Sequence, residues 1–237
     1  MGGTEARRLL VLDTEAKRWR LRTLRLGAQA TDARADYSLL GGEALCQYLL
    51  RENPDDLIIA RGPMPFLSGN KTTVGYLSPL TGLPHYSFVG GRGFAELLNL
   101  GLDGLVLTGE GSAEEYVVVS GRAPRLRVEW KEAAELPWGQ RSAYYWLLGR
   151  ELEGQGDRGS VFAIGEGARL GYRTANLAVD GIYHAGRGGA GSVFSRFAAA
   201  LVLRGQPLLW QDWFGAGSEA FWDLREGEIR DRLERYT

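Results

Sequence analysis

Short apolar runs, most of them bounded by glycine or proline, recur along this chain with only a few stretches of helical spacing between them. Leu57-Ile58-Ile59-Ala60, Leu105-Val106-Leu107-Thr108 and Val161-Phe162-Ala163-Ile164 are too short and too uniformly apolar for surface helices, and they read as buried strands. Arg8 to Asp13 and Arg18 to Leu24 flank Thr14-Glu15-Ala16-Lys17 and predict an opening β-hairpin. Tyr116 to Ser120, Leu126 to Trp130, Leu177 to Val179 and Ala200 to Leu203 add further strands. Helical spacing is found from Leu39 to Arg51, entered through Gly41-Gly42 and stopped at Asn53-Pro54, in the segment after Gly93, and from Pro137-Trp138-Gly139 to about Leu152. Strands and helices mix without a regular strand-helix-strand rhythm, so the fold class is α+β with β-sheets and packed helices rather than doubly wound α/β. At 237 residues the chain can bury a large core, and one domain over residues 1–205 is expected. An aromatic-rich helical tail follows over 206–237, in which Trp210, Trp213, Phe214, Phe221 and Trp222 need a surface to pack on, within the chain or on a partner.

The glycines are not evenly used. Val89-Gly90-Gly91-Arg92-Gly93 and Ala185-Gly186-Arg187-Gly188-Gly189 each set an arginine among residues that lack a Cβ atom, and Ser78-Pro79-Leu80-Thr81-Gly82 is a third such turn without one. Backbone N–H groups can approach a ligand closely there, and a guanidinium beside them matches phosphate. The pattern predicts an anionic, phosphate-bearing ligand. Gly186-x-Gly188-x-x-Gly191 satisfies the dinucleotide fingerprint formally, but it follows no clear buried strand and no acid ends a second strand about twenty residues on.

Other function classes are excluded by totals. A formal net charge of −1 does not supply the field that nucleic acid or an anionic membrane surface requires. Neither a secretory leader nor an apolar window of membrane-spanning length is present, so a cytoplasmic protein is expected. Cys46 is the single cysteine, so no cluster or zinc site can be assembled from several thiolates of this chain, and its place on an apolar helix face beside Leu45 and Leu49 reads as a buried hydrophobe. His85 and His184 are the only histidines and lack acidic partners at ligand spacing.

At these motifs the chain resembles the N-terminal domain of the tungsten-containing aldehyde ferredoxin oxidoreductase family. Leu40-Gly41-Gly42, Ile59-Ala60-Arg61-Gly62-Pro63, the Ser78 to Gly82 turn, Gly90-Gly91 with Phe94-Ala95-Glu96-Leu97, Gly101 to Gly109, Leu136-Pro137-Trp138-Gly139, Ile164-Gly165 and Ala185 to Gly189 occur in family order. The resemblance implies a base on which tungsten or molybdenum held by two pterins rests, in enzymes that oxidise aldehydes to carboxylic acids and send electrons through a [4Fe–4S] cluster to ferredoxin. It places Lys71 where the family carries a cofactor-contacting arginine, Ser87, Phe88, Gly90 and Gly91, with Arg92, at one pterin, and His184, Ala185, Gly186, Arg187 and Gly188 at the other. No catalytic residue and no metal ligand is expected in this chain. Cluster ligands and acid–base groups lie in the family's C-terminal domains, so a partner chain would supply them, with ferredoxin engaged indirectly; this chain alone would not turn over. Self-association is left open.

Three segments depart from the family pattern: Glu43 stands where an arginine is usual, Ile164 to Arg169 is a degraded motif, and Phe194 to Ala200 lacks the expected lysine-rich run. These departures open the alternative of a binding or scaffold protein that kept the domain and lost tungstopterin and cluster chemistry.

Overall fold

The structure, a computed structural model, describes residues 6–25, 41–62, 71–153 and 159–207. The expected tail helix from Ser218 lies outside the described residues. Two six-stranded sheets carry the fold. In the first, β1 (Ala6–Asp13) and β2 (Arg18–Arg25) form the predicted hairpin, and the remaining strands are β3 (Leu57–Ala60), β4 (Thr72–Leu77), β5 (Pro84–Val89) and β6 (Gly104–Thr108), in the order β2-β1-β6-β3-β4-β5. The second contains β7 (Ser112–Arg122), β8 (Arg125–Glu132), β9 (Ser160–Ile164), β10 (Leu177–Val179), β11 (Tyr183–Ala185) and β12 (Ala198–Gly205), in the order β11-β10-β9-β12-β7-β8. Each sheet has one parallel pair, β1 with β6 and β12 with β7, and is otherwise antiparallel. This is a single α+β domain with mixed sheets and few helices.

Side-chain alternation explains the layering, since successive residues of a strand face opposite sides of its sheet. Leu9 and Val11 of β1, Ile58 and Ala60 of β3 and Val106 of β6 meet Leu45, Cys46, Leu49 and Leu50 on helix α1 (Gly42–Glu52). Their neighbours Leu10, Leu12, Leu57, Ile59, Leu105 and Leu107 turn the other way, into a core shared with Val117, Val119, Phe162 and Leu201 of the second sheet. Helix α2 (Gly93–Asn99) packs on β12 and β9, and α3 (Gln140–Glu151) packs on β9.

Cys46 is fully buried, as its helix position predicts, and burial pushes its thiol well above the ordinary range. A Cβ at Gly75 would lie 2.5 Å from the Cys46 Cβ, so glycine is what lets α1 press against β4. Arg61 clamps the β3 exit: its Nη2 lies 2.6 Å from Asp103 Oδ1 and its Nε donates to the Leu102 carbonyl at 2.8 Å. Among the described residues no helix is long and apolar enough to cross a membrane.

Several elements carried signals that the sequence reading left unassigned. Thr72-Thr73-Val74-Gly75-Tyr76-Leu77 is rich in β-branched and aromatic residues, and β4 and β5 together form a hairpin around the expected Ser78–Gly82 turn. Short helices α4 (Glu166–Arg169) and α5 (Ala190–Phe194) also form, each directly after a glycine of its motif, Gly165 and Gly189.

Candidate functional site

The β4–β5 hairpin has Thr72 opposite Val89 and Leu77 opposite Pro84, so Lys71 lies across from Gly90. The chain reverses at Ser78–Leu83, where Ser78 N–H donates to the Leu83 carbonyl and Gly82, at φ +69°, donates to the Ser78 carbonyl. β5 borders the first sheet and β11 borders the second. The two borders lie side by side and run oppositely: a Cβ on Gly90 would fall 2.6 Å from the Tyr183 ring, and one on Gly188 would fall 2.6 Å from the His85 ring. Two hydroxyls fasten the seam, Tyr76 donating to the Arg187 carbonyl at 2.7 Å and Ser78 donating to the Gly188 carbonyl at 2.9 Å. From Gly90 to His85 the seam is about 16 Å long at roughly 3.3 Å per strand residue.

The expected site residues distribute along this seam. Lys71, Gly90, Gly91 and Arg92 mark one end, and Arg187 and Gly188 mark the other. Ser87 pairs with Val74 and is buried on the side facing the second sheet, whereas Phe88 pairs with Thr73 and points to the opposite side, 54% exposed. Ala185 is buried while His184 is exposed. Gly186 has open space where a side chain would be. The cations Lys71, Arg92 and Arg187 are all exposed, and among the described residues Lys71 and Arg187 have no ion-pair partner. Arg92 reaches Glu96 through Nη2 at 3.5 Å.

Asp180 organises the first end, and the sequence reading did not single it out. Its Oδ2 accepts from the Arg92 backbone N–H at 2.7 Å, and its Oδ1 accepts from Val161 N–H at 2.8 Å and the Ser160 hydroxyl at 3.0 Å. One carboxylate thereby ties the Gly90–Gly93 turn to β9. Asp180 sits at φ +52°, a left-handed conformation that Asp tolerates better than most residues, and is followed by Gly181 at φ +68°. A strand ending in Val-Asp-Gly is the signal that could have found it. Burial pushes its carboxyl above the usual range, against the pull of the hydrogen bonds from Arg92, Val161 and Ser160. Gly91, at φ +101°, has room for nothing larger, since a Cβ would lie 2.5 Å from Asp180 Oδ2.

Two consequences for binding follow. The Arg92 N–H is committed to Asp180, so this turn offers its side chain rather than that amide to a ligand. The Tyr183 ring covers Gly90 and Gly91, and with Phe88 it leaves exposed aromatic surface beside the cations. At the far end, the His85 ring sits 5.5 Å from that of Tyr76 and supports Gly188. Behind the first end lies Glu96, fully buried: its Oε2 accepts from Gly205 N–H at 2.9 Å and its Oε1 from Asn99 Nδ2 at 3.3 Å. Burial drives its carboxyl upward despite those contacts and Arg92. Among the described residues no group of histidine, cysteine, aspartate and glutamate could hold a metal ion.

Comparison with known proteins returns one family and two informative relatives. Residues 20–204 match the model of the aldehyde ferredoxin oxidoreductase N-terminal domain. The tungsten-containing aldehyde ferredoxin oxidoreductase of Pyrococcus furiosus is 29% identical over 180 residues, an alignment covering 70% of this chain and 29% of that protein. Among solved structures, the active site complex BamBC of benzoyl coenzyme A reductase in complex with 1,5-dienoyl-CoA matches with a TM-score of 0.68 at 25% identity, covering 85% of this chain and 31% of the other. The chain therefore spans about three-tenths of the length of these relatives.

Proposed function

This chain belongs to the aldehyde ferredoxin oxidoreductase family through its N-terminal domain, and from that premise we propose that it forms the cradle for a tungsten- or molybdenum-bearing bis-pterin. The observation that carries the reading is the seam between β5 and β11, which sets Lys71 and Arg92 at one end and Arg187 at the other, with Gly186 open beside it. Cations at both ends of a seam about 16 Å long would offset the charge of a cofactor that carries two phosphates. Lys71 and Arg92 would hold one phosphate and Arg187 the other; Phe88, Gly90 and Gly91 would border the first pterin and His184, Gly186 and Gly188 the second, with the buried Ser87 and Ala185 supporting them from within. When bound, such a centre supplies two-electron redox chemistry, here the oxidation of an aldehyde to a carboxylic acid.

The chain's own contribution is binding and orientation. Asp180 fixes the turn that presents Arg92, and Tyr76 and Ser78 fix the segment that presents Arg187. Tyr183 packs over Gly90 and Gly91 and partly shields them. Proton handling and electron transfer through a [4Fe–4S] cluster to ferredoxin belong, in this reading, to a partner carrying the cluster-binding domains, in the cytoplasm.

A second reading, a binding or scaffold protein without the metal, draws its support from Tyr183 and Asp180, which already occupy the close approach that Gly90 and Gly91 permit. Metal analysis separates the two. Protein purified from its own source should carry tungsten or molybdenum in near-equimolar amount together with a partner chain, and Lys71→Ala with Arg187→Ala should release the metal without lowering the melting temperature. A metal-free, partnerless native protein would refute the cradle and leave the scaffold.

A further inference from the structure

The Ser78–Gly82 turn is tied to the Arg187 end of the seam through Gly188, but its outer side forms a wall of a further cavity of about 460 Å³. That volume lies within the range of small-molecule sites, which combine apolar walls with a few convergent polar groups. Pro79, Leu80 and Val193 supply apolar wall, and Arg173 and Arg196 supply two guanidinium groups from separate segments. Both arginines are exposed, and neither is firmly engaged. Arg173 has no side-chain partner among the described residues, and Arg196, whose guanidinium lies 5.7 Å from the Phe197 ring centroid, makes a 3.4 Å contact with Glu110, which is itself 78% exposed. An ion pair so open to water contributes little and yields readily to a better anion. Thr81 and Ser192 place hydroxyls in the same lining, while Asp55 is its one carboxylate.

The wall is held before any ligand arrives. Ser78 Oγ accepts from Leu80 N–H at 3.2 Å while donating to the Gly188 carbonyl, Gly82 N–H closes the turn at 2.8 Å, and Pro79 packs against Gly189, where a Cβ would lie 2.8 Å from its Cγ. Gly189 is left-handed, at φ +81°. A preformed site spends less of its interaction energy on ordering.

We infer that this cavity binds a small organic phosphate. Two guanidinium groups and two hydroxyls on different walls suit an anion with three terminal oxygens better than a planar carboxylate with two, and the apolar wall suits a hydrocarbon body attached to it. The site differs from the proposed pterin cradle in its cations: none of Lys71, Arg92 and Arg187 lines it.

Isothermal titration of the full chain with phenyl phosphate, inorganic phosphate and benzoate tests it. Phenyl phosphate should bind one to one with a Kd on the order of 1 mM or tighter. Inorganic phosphate and benzoate should each bind about tenfold more weakly, one lacking the apolar body and the other the third oxygen, each a difference of roughly 1.4 kcal/mol. In a Lys71→Ala/Arg187→Ala background, which removes the phosphate contacts proposed for the seam, Arg173→Gln with Arg196→Gln should still weaken phenyl phosphate at least tenfold. Should the double arginine variant misfold, Arg173→Gln alone serves, because that side chain holds no described element in place. No saturable binding, equal affinity for benzoate, or indifference to the Arg173 and Arg196 substitutions in that background would each overturn the assignment; none of these results bears on whether the seam holds a metal.

Discussion

Replacing Asp180 with alanine tests how the seam is held. The substitution leaves the N–H groups of Arg92 and Val161 and the hydroxyl of Ser160 without the acceptor they share. An orphaned buried donor costs about 1–3 kcal/mol. Arg92 N–H is only partly buried and water can reach it, whereas Val161 N–H is enclosed, so the second donor dominates. Alanine at φ +52° adds a local strain of roughly 1 kcal/mol, and relief from burying a carboxyl offsets part of the total. The net loss is about 2–4 kcal/mol, which at roughly 2–4 °C per kcal/mol for a domain of this size lowers the melting temperature by about 4–16 °C. Asp180→Asn keeps the left-handed preference but retains one acceptor oxygen for donors on two sides, and its loss should fall about midway. Scanning calorimetry gives the global effect. Hydrogen exchange read by mass spectrometry localises it, with faster exchange expected in peptides spanning Gly90–Phe94 and Ser160–Ile164. A melting point within about 2 °C of the parent, or protection unchanged at Arg92, would show that the turn is held by packing and refute the reasoning.

Glu96 makes a pH prediction. Its folded carboxyl is raised above the ordinary value, so the native state binds the proton more tightly than the unfolded chain, and this group's contribution falls as pH climbs through and above the ordinary carboxylate range. Glu96→Gln removes that dependence, so the melting temperature of the variant relative to the parent should rise between pH 4 and pH 7; a difference that is flat or falling contradicts it. Cys46 should resist a thiol reagent such as dithionitrobenzoate in the native protein at pH 8 and react on unfolding, since it is fully buried with a raised thiol; rapid native labelling would show that α1 opens from β4. Gly91→Ala should destabilise the fold by a mechanism that Asp180→Ala partly relieves, because the Cβ meets Asp180 Oδ2; additive losses in the double variant would refute that contact.

Much of the fold was legible because burial writes itself into short sequences. Leu57–Ala60 and Leu177–Val179 coincide with the predicted strands, and the opening hairpin forms around the predicted turn. Helix α1 starts after Gly41 and stops at Asn53, as its glycine pair and Asn53-Pro54 predict. β4 and β5 were hidden by their setting among glycines, where turn signals outweighed the alternation of Thr72, Val74 and Tyr76. The glycine clusters were recognisable as unusual backbone, but what crowds them was not. Tyr183 against Gly90 and Asp180 against Gly91 are contacts between sheets, and one strand's composition says nothing about another sheet's border. The alignment of β5 with β11 is likewise a tertiary fact, invisible to periodicity.

That alignment leaves each sheet with only one border facing solvent among the described strands. They are β2, with Arg18, Arg20 and Arg22 on alternate positions, and β8, with Arg125, Arg127, Glu129 and Lys131. A strand from another molecule that docked on either would bring its backbone beside a row of full charges and strip them of water. Strand addition is therefore disfavoured at both of these margins.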